Sequence, residues 1–209
     1  THDHWDHIGG NEEIREKTGA ILLSHTGAMG KIPNVDKGLN AGDQIKIGSS
    51  VYFKVLDTPG HTDSHICLLS DEKAPSLFCG DTMFNAGVGH CKLGGNPDDL
   101  FNTFNQQLSK LPDETKIYPG HDYIINNLEF TLDREPDNES AKSYLKNLEK
   151  QNPHDAFIST MKDERKINSF LRLKNPAIIS ELKNSFPDLP ENPSEKEVFI
   201  ALRELRNNW

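Results

Sequence analysis

Apolar residues fall into two regimes along this chain. In the first they gather in short runs bounded by Gly, Pro or Asp, the pattern of strands in a layered α/β domain. Residues 20–25, 50–56, 64–69 and 77–79 are such runs, and the second is rich in β-branched and aromatic side chains. A polar stretch at residues 11–17 reads as a short helix. Leu100, Phe104, Leu108 and Leu111 recur at the spacing of one helical face, behind Asn96 as N-cap and Pro97 in the first turn. Functional side chains are expected in the loops at the strand ends.

The second regime begins at about Tyr123, where long polar stretches carry periodic apolar residues such as Tyr144, Leu145 and Leu148 and no strand is predicted. A helical region follows. Its last helix starts at Ser194, which forms an S-x-x-E capping box with Glu197 and is followed by the apolar stripe Val198, Ala201, Leu202 and Leu205. Arg203 and Arg206, three positions apart, share a neighbouring face. The proline-rich turn at residues 187–193 connects two helices. The chain therefore divides into a layered α/β domain, residues 1–122, and a helical region, residues 123–209, with no internal repeat or low-complexity segment.

Composition narrows the class. The 209 residues are 34% hydrophobic and 26% charged, and no apolar run approaches the roughly 20 residues of a membrane span. A formal charge of −9 argues against nucleic acid and anionic membranes as partners, because phosphate binding needs a basic stripe. An anionic small molecule must instead meet a local basic cluster. Cys67, Cys79 and Cys91 are odd in number and form no C-x-x-C pair. Neither a disulfide framework nor a thiolate zinc cage is suggested, and a reducing compartment, the cytoplasm, fits best. Thr1 opens directly onto a histidine motif without a methionine or a preceding strand. Upstream residues are expected to be missing, so a targeting segment stays open.

That motif, T-H-D-H-W-D-H, places His2, His4, Asp6 and His7 within a few residues of one another. Along an extended segment His2, His4 and Asp6 point to one side, and a turn at its end lets His7 join Asp6 at a second metal. Imidazole and carboxylate suit Zn, Fe or Mn. A polar loop of hydrogen-bonding histidines is the plainer reading, and the H-x-H-x-D-H spacing before Gly9 and Gly10 argues against it. Three later segments each present one more donor: His61 in P-G-H-T, Asp81 in G-D-T and His121 in P-G-H-D. Each is weak alone. Together they supply the N/O donors that two open metal sites sharing one carboxylate require. His25 and His65 lie in or beside strands and suit supporting hydrogen bonds, while His154 reads as solvated. His90, after Gly87-Val88-Gly89, is either a substrate contact or a loop-packing residue.

In these residues the chain resembles the metallo-β-lactamase superfamily, and it is similar to the glyoxalase II (hydroxyacylglutathione hydrolase) family from Thr1 to Trp209, including the N-S-F-L-R and A-L-R-E-L-R segments. The resemblance implies an αββα sandwich with strands ahead of the opening motif, so the chain is expected to lack the first strands of its amino-terminal sheet. It implies His2, His4 and His61 as ligands of a first metal, Asp6, His7 and His121 of a second, and Asp81 as the bridge. Two divalent metals follow, Zn first, with Fe or Mn as alternatives. Asp6 and Asp81 then carry the catalytic role.

The chemistry points to a thioester. Metal binding lowers the pKa of water to roughly 7, so hydroxide bridging two metals is available without a protein base. A thiol of pKa about 8.5 leaves without an acid, whereas an amide nitrogen needs protonation. The resemblance implies an S-2-hydroxyacylglutathione, such as S-lactoylglutathione, split to glutathione and a 2-hydroxy acid. Tyr123, Arg203 and Arg206 match positions that contact glutathione in the family. The family's loop lysine and tyrosine are replaced here by His90-Cys91-Lys92, which puts strict glutathione specificity in doubt; Lys92 restores a charge and Cys91 reads as packing. The alternatives are a persulfide dioxygenase with mononuclear iron, which shares the ligand pattern, and a non-catalytic metal-binding module. A lactonase or β-lactamase is a weaker reading. The helical region after Tyr123 favours glyoxalase II.

Overall fold

The structure is a computed structural model that describes residues 1–148, 152 and 156–209. Its opening segment is extended only as far as His4, and α1 (Trp5–Ile8) then forms a single helical turn closed by Gly9 N–H on the Trp5 carbonyl. The expected extended alternation therefore stops before Asp6. Asp6 and His7 follow each other around a helical turn instead, and the His7 N–H bonds the His4 carbonyl at 3.0 Å. α2 (Asn11–Thr18) ends at Gly19, whose φ of 68° supplies the left-handed C-cap.

The strand expected at residues 20–25 shrinks to β1 (Leu23–His25), because the Leu22 N–H is taken by the Asp36 carboxylate rather than by a strand. β1 pairs in parallel with β2 (Lys37–Leu39). The main sheet contains β3 (Gln44–Ile47), β4 (Val51–Asp57), β5 (Ile66–Ser70), β6 (Ser76–Gly80) and, later in the chain, β9 (Lys116–Pro119), in the order β3-β4-β5-β6-β9. β3 to β6 are antiparallel neighbours and β9 pairs in parallel with β6. β4, β6 and β9 consequently run in one direction and end at one edge. A small hairpin, β7 (Met83–Phe84) and β8 (Gly87–Val88), leaves that edge.

α3 (Pro97–Gln106) is capped by Asn96 as expected. Gly60, at φ 144°, lets the turn after β4 press on it, since a Cβ there would meet Leu100 Cα at 2.4 Å. β9 (Lys116–Pro119) precedes α4 (Ile124–Arg134), α5 (Glu139–Leu148), α6 (Met161–Ile167), α7 (Pro176–Ser185) and α8 (Glu195–Arg206). Ser194 and Glu197 form the expected reciprocal capping box.

One core joins sheet and helices. Leu77 and Cys79 of β6 pack with Leu100 and Phe104 of α3 and with Val198, Phe199 and Leu202 of α8. The Phe199 ring meets those of Phe101, Phe104 and Phe170 at 5.6, 5.6 and 5.2 Å. Burying such a ring stabilises the fold by about 1.5–3 kcal/mol. The helical region is thus packed against the sheet that positions the site. No helix among the described residues is long and apolar enough to cross a membrane.

Candidate metal centre

The edge where β4, β6 and β9 end is where the candidate ligands meet. His61 follows β4, Asp81 follows β6 and His121 follows β9. The opening segment joins them because the Thr1 carbonyl accepts the Ile66 N–H at the start of β5, 2.9 Å away. That anchor sends His2 into the interior, where it is 2% exposed, and α1 then delivers Asp6 and His7. Gly120 is required beneath the cluster, since a Cβ there would lie 2.4 Å from Asp81 Oδ1.

All seven expected residues converge. His2, His4 and His61 form one group of donors, Asp6, His7 and His121 a second, and His2, His7 and Asp81 a third, with the donor atoms of each group within 4.8 Å of one another. His4 Nδ1 and His61 Nε2 are 3.0 Å apart, and His7 Nε2 and His121 Nε2 are 3.1 Å apart. Asp81 lies between the groups, its Oδ1 3.2 Å from His7 and its Oδ2 3.6 and 3.4 Å from His61 and His121. Asp6 Oδ2 is 3.3 Å from His121 Nε2.

The outer ring nitrogens define how these rings face inward. His61 Nδ1–H donates to the His90 carbonyl at 2.7 Å, which turns its Nε2 lone pair into the site. His4 does the reverse, donating Nε2–H to the Leu93 carbonyl at 3.0 Å and presenting Nδ1. His65 is fully buried and accepts the Asp81 N–H on Nε2 at 3.2 Å, so Nδ1–H donates to Thr82 Oγ1 at 2.9 Å. It fixes the base of Asp81, the supporting role expected for it. His25 accepts the Gly27 N–H and stays outside the cluster.

A metal fits this donor set. His2 Nε2 and Asp81 Oδ1 are buried with no hydrogen-bond partner among the described residues; Asp81 Oδ1 is near His7 but no N–H is aligned with it. Burial, then repulsion from His7 and the other rings, pulls His2 down to about 2. Burial likewise pulls His61 down to about 4 and places His65 well below the ordinary imidazole range. Neutral rings with converging lone pairs are the form that binds a metal rather than the form that pairs with carboxylates.

Beside the cluster lies a cavity of about 200 Å³ that gathers all five expected substrate contacts, His90, Lys92, Tyr123, Arg203 and Arg206, together with Asn127. Tyr123 stacks on His121 with ring centres 5.2 Å apart, so one wall of the cavity packs against the cluster. Lys92 Nζ donates to the Asn207 carbonyl at 3.1 Å. Arg206 bonds Asn126 and lies over the Trp209 and Phe130 rings. Arg203 is 5% exposed, and its Nη1 donates to the Val88 and Gly89 carbonyls at 2.9 and 3.1 Å. Burial lowers its pKa to about 10. Cys91 packs against the core, and burial raises its thiol to about 11, which keeps it from acting as a nucleophile. A larger open groove of about 720 Å³ beside α7 contains none of these residues. His154 lies outside the described residues. Asn127, which also lines the cavity, carries no sequence signal that sets it apart from Asn126, although it shares the buried face of its helix with Ile124 and Leu128.

Residues 1–121 match the family model of the metallo-β-lactamase superfamily, and residues 122–209 match that of the hydroxyacylglutathione hydrolase C-terminus. Curated relatives include the hydroxyacylglutathione hydrolases of Nitrosococcus oceani, 56% identical over 209 residues, and of a Polaromonas species, 53% identical over 209 residues. Each alignment covers 100% of this chain and 80% of the relative. Among solved structures, ETHE1 from Myxococcus xanthus has a TM-score of 0.60 at 26% identity, covering 99% of this chain and 74% of that one. TTHA1623 in a di-iron-bound form has a TM-score of 0.54 at 25% identity, covering 82% of this chain and 75% of that one.

Proposed function

Because the chain belongs to the hydroxyacylglutathione hydrolase family of the metallo-β-lactamase superfamily, we propose that it hydrolyses the thioester of an S-2-hydroxyacylglutathione, such as S-lactoylglutathione, to glutathione and a 2-hydroxy acid. The observation that carries this reading is the convergence of imidazoles and two carboxylates beside a cavity lined with cations. The cofactor is a pair of divalent metals. In our reading His2, His4 and His61 would hold one, Asp6, His7 and His121 would hold the other, and Asp81 would serve both. When bound, such a pair supplies an ionised water at neutral pH and a Lewis acid for the carbonyl. Zn is our assignment; the donor set accepts Fe equally, and the di-iron form of TTHA1623 keeps that alternative in view.

The chain's own residues supply binding and orientation. His65 keeps Asp81 turned into the cluster, and Tyr123, Lys92 and Arg206 offer the cavity's donors to the carboxylates of glutathione. The leaving thiolate, of pKa about 8.5, needs no acid from the protein. We divide the roles at residues 1–122 for catalysis and 123–209 for recognition. The free thiols of Cys67, Cys79 and Cys91 accord with the cytoplasm as its compartment. The match of residues 122–209 to the hydroxyacylglutathione hydrolase C-terminus disfavours the dioxygenase and non-catalytic alternatives. Metal content combined with a thioester panel tests the reading. Two metals per chain and release of glutathione from S-lactoylglutathione are expected; a metal-loaded chain that cleaves no glutathione thioester would overturn it.

A further inference from the structure

Five consecutive residues of the hairpin and its exit, residues 85–89, have a backbone group gripped by the helical region. Asn127 Nδ2 donates to the Asn85 carbonyl at 2.9 Å. The Ala86 N–H donates to both Glu164 oxygens, at 2.9 and 3.2 Å. Asn168 Nδ2 donates to the Gly87 carbonyl at 3.1 Å, and Arg203 takes the carbonyls of Val88 and Gly89. These four side chains come from α4, α6, the residue after α6, and α8, and all are buried. They also brace one another: Glu164 accepts from Asn168 and from Ser159, and Ser159 accepts from Asn85.

The gripped segment has little support of its own. Its ladder is two residues per strand, and Ala86 between them sits at φ 56°, a left-handed conformation that is strained for a non-glycine residue. Arg203 is a buried cation with no carboxylate partner among the described residues, which is costly unless carbonyl dipoles hold it. What the segment touches at its far end is the metal cluster. The next carbonyl, that of His90, receives the Nδ1–H of His61, and Gly89 lies so close to the Asp81 carbonyl that a Cβ would come within 1.9 Å of it.

We propose that Asn127, Glu164, Asn168 and Arg203 are positioning residues that hold the 85–90 backbone so that the His90 carbonyl fixes the tautomer and aim of His61. The helical region then sets the geometry of the metal centre as well as contacting substrate. The proposal rests on the reading of His61 as a metal ligand. It predicts an asymmetric effect, because the clamp reaches the His2, His4 and His61 group while Asp6, His7 and His121 are held by α1 and the end of β9.

Glu164 and Asn168 do not line the cavity, so substrate contact cannot account for their effects. The test titrates metal-free protein with Co²⁺ against a competing chelator, for the unsubstituted chain, Asn168→Ala, Glu164→Gln and Arg203→Lys. Loss of an outer partner of a metal-binding histidine typically costs roughly 10–100-fold in affinity. Asn168→Ala is expected to weaken one of two sites by that factor and leave the other unchanged, and to speed solvent exchange of the His61 Nδ1–H, followed by NMR with His61→Gln as the assignment control. Arg203→Lys, which keeps the charge on a compact ammonium without the planar guanidinium fork, should fall between Asn168→Ala and the unsubstituted chain. If Glu164→Gln fails to fold, the other two variants decide. Equal affinity at both sites in the folded variants, or an equal loss at both, would overturn the clamp alone. Failure of the unsubstituted chain to bind two Co²⁺ ions would overturn the ligand assignment, and the clamp with it.

Discussion

His4 and His61 face each other through different ring nitrogens, Nδ1 of one 3.0 Å from Nε2 of the other, because each ring spends its remaining N–H on a main-chain carbonyl. Two loops, at Leu93 and at His90, therefore determine which lone pairs enter the site. The inward atoms are chosen by backbone, and side-chain identity alone does not choose them.

Asp81 should be the most sensitive single position. It stands within 3.6 Å of His7, His61 and His121, and an amide in its place offers one acceptor and no charge. Since outer-partner losses cost roughly 10–100-fold, Asp81→Asn is expected to lower turnover by more than about 100-fold and to reduce metal content below that of the unsubstituted protein. Atomic absorption and initial rates measured on the same preparation check this. Unchanged metal and rate would remove Asp81 from the bridging position.

Arg206 should act on substrate affinity. It is half-buried on the cavity wall, and its contact with a glutathione carboxylate would be made alike in ground and transition states. A charge-assisted hydrogen bond of about 1.5–3 kcal/mol corresponds to roughly ten- to hundredfold in KM. Arg206→Ala should show that rise for a glutathione thioester, with kcat nearly unchanged, and little change for a small neutral thioester. Equal losses for both substrates would assign Arg206 to the fold.

Glu164 gives a pH signature. Burial, only partly offset by its hydrogen bonds from Ser159, Asn168 and Ala86, raises its carboxyl from 4.5 to about 7. The folded state then holds a proton that the unfolded state has lost, so this group's stabilisation is full below pH 4.5 and disappears as pH rises through about 7. The span corresponds to about 3 kcal/mol. His2 and His61 act with the opposite sign, because their lowered values give stability that is lost as pH falls below 6.5. The difference in unfolding free energy between the unsubstituted protein and Glu164→Gln, measured without metal, isolates the carboxyl. It should decline from pH 4.5 to 7; a flat difference would show that Glu164 is ionised throughout.

The sequence carried the site further than the scaffold. All seven candidate ligands were legible as donors that converge, because donor types at turn motifs survive any uncertainty about strand boundaries, and five of the residues that line the cavity were legible while its Asn127 was not. The Asn96 and Ser194 caps were equally legible, since each needs only one local hydrogen bond. β2 and β3 were not: Lys37–Leu39 is too short to show alternation, Gln44–Ile47 alternates through only two isoleucines, and pairing with β1 and β4 makes them strands. α1 was missed because four residues provide no period to read. Glu164 was invisible for another reason. Its place in α6 resembles any surface glutamate, and only the approach of Ala86, 78 positions away, makes it buried.

The common direction of β4, β6 and β9 gives the sheet a working end and a free end. At the first, the stretches after Asp57, Gly80 and Pro119 each carry a donor, and one inserted residue would carry His61, Asp81 or His121 out of reach. At the other, residues 71–75 join β5 to β6 with Asp71, Glu72, Lys73 and Ala74 exposed. Length variation and grafted peptides belong in that turn, where the sheet can absorb them without the chemistry registering the change.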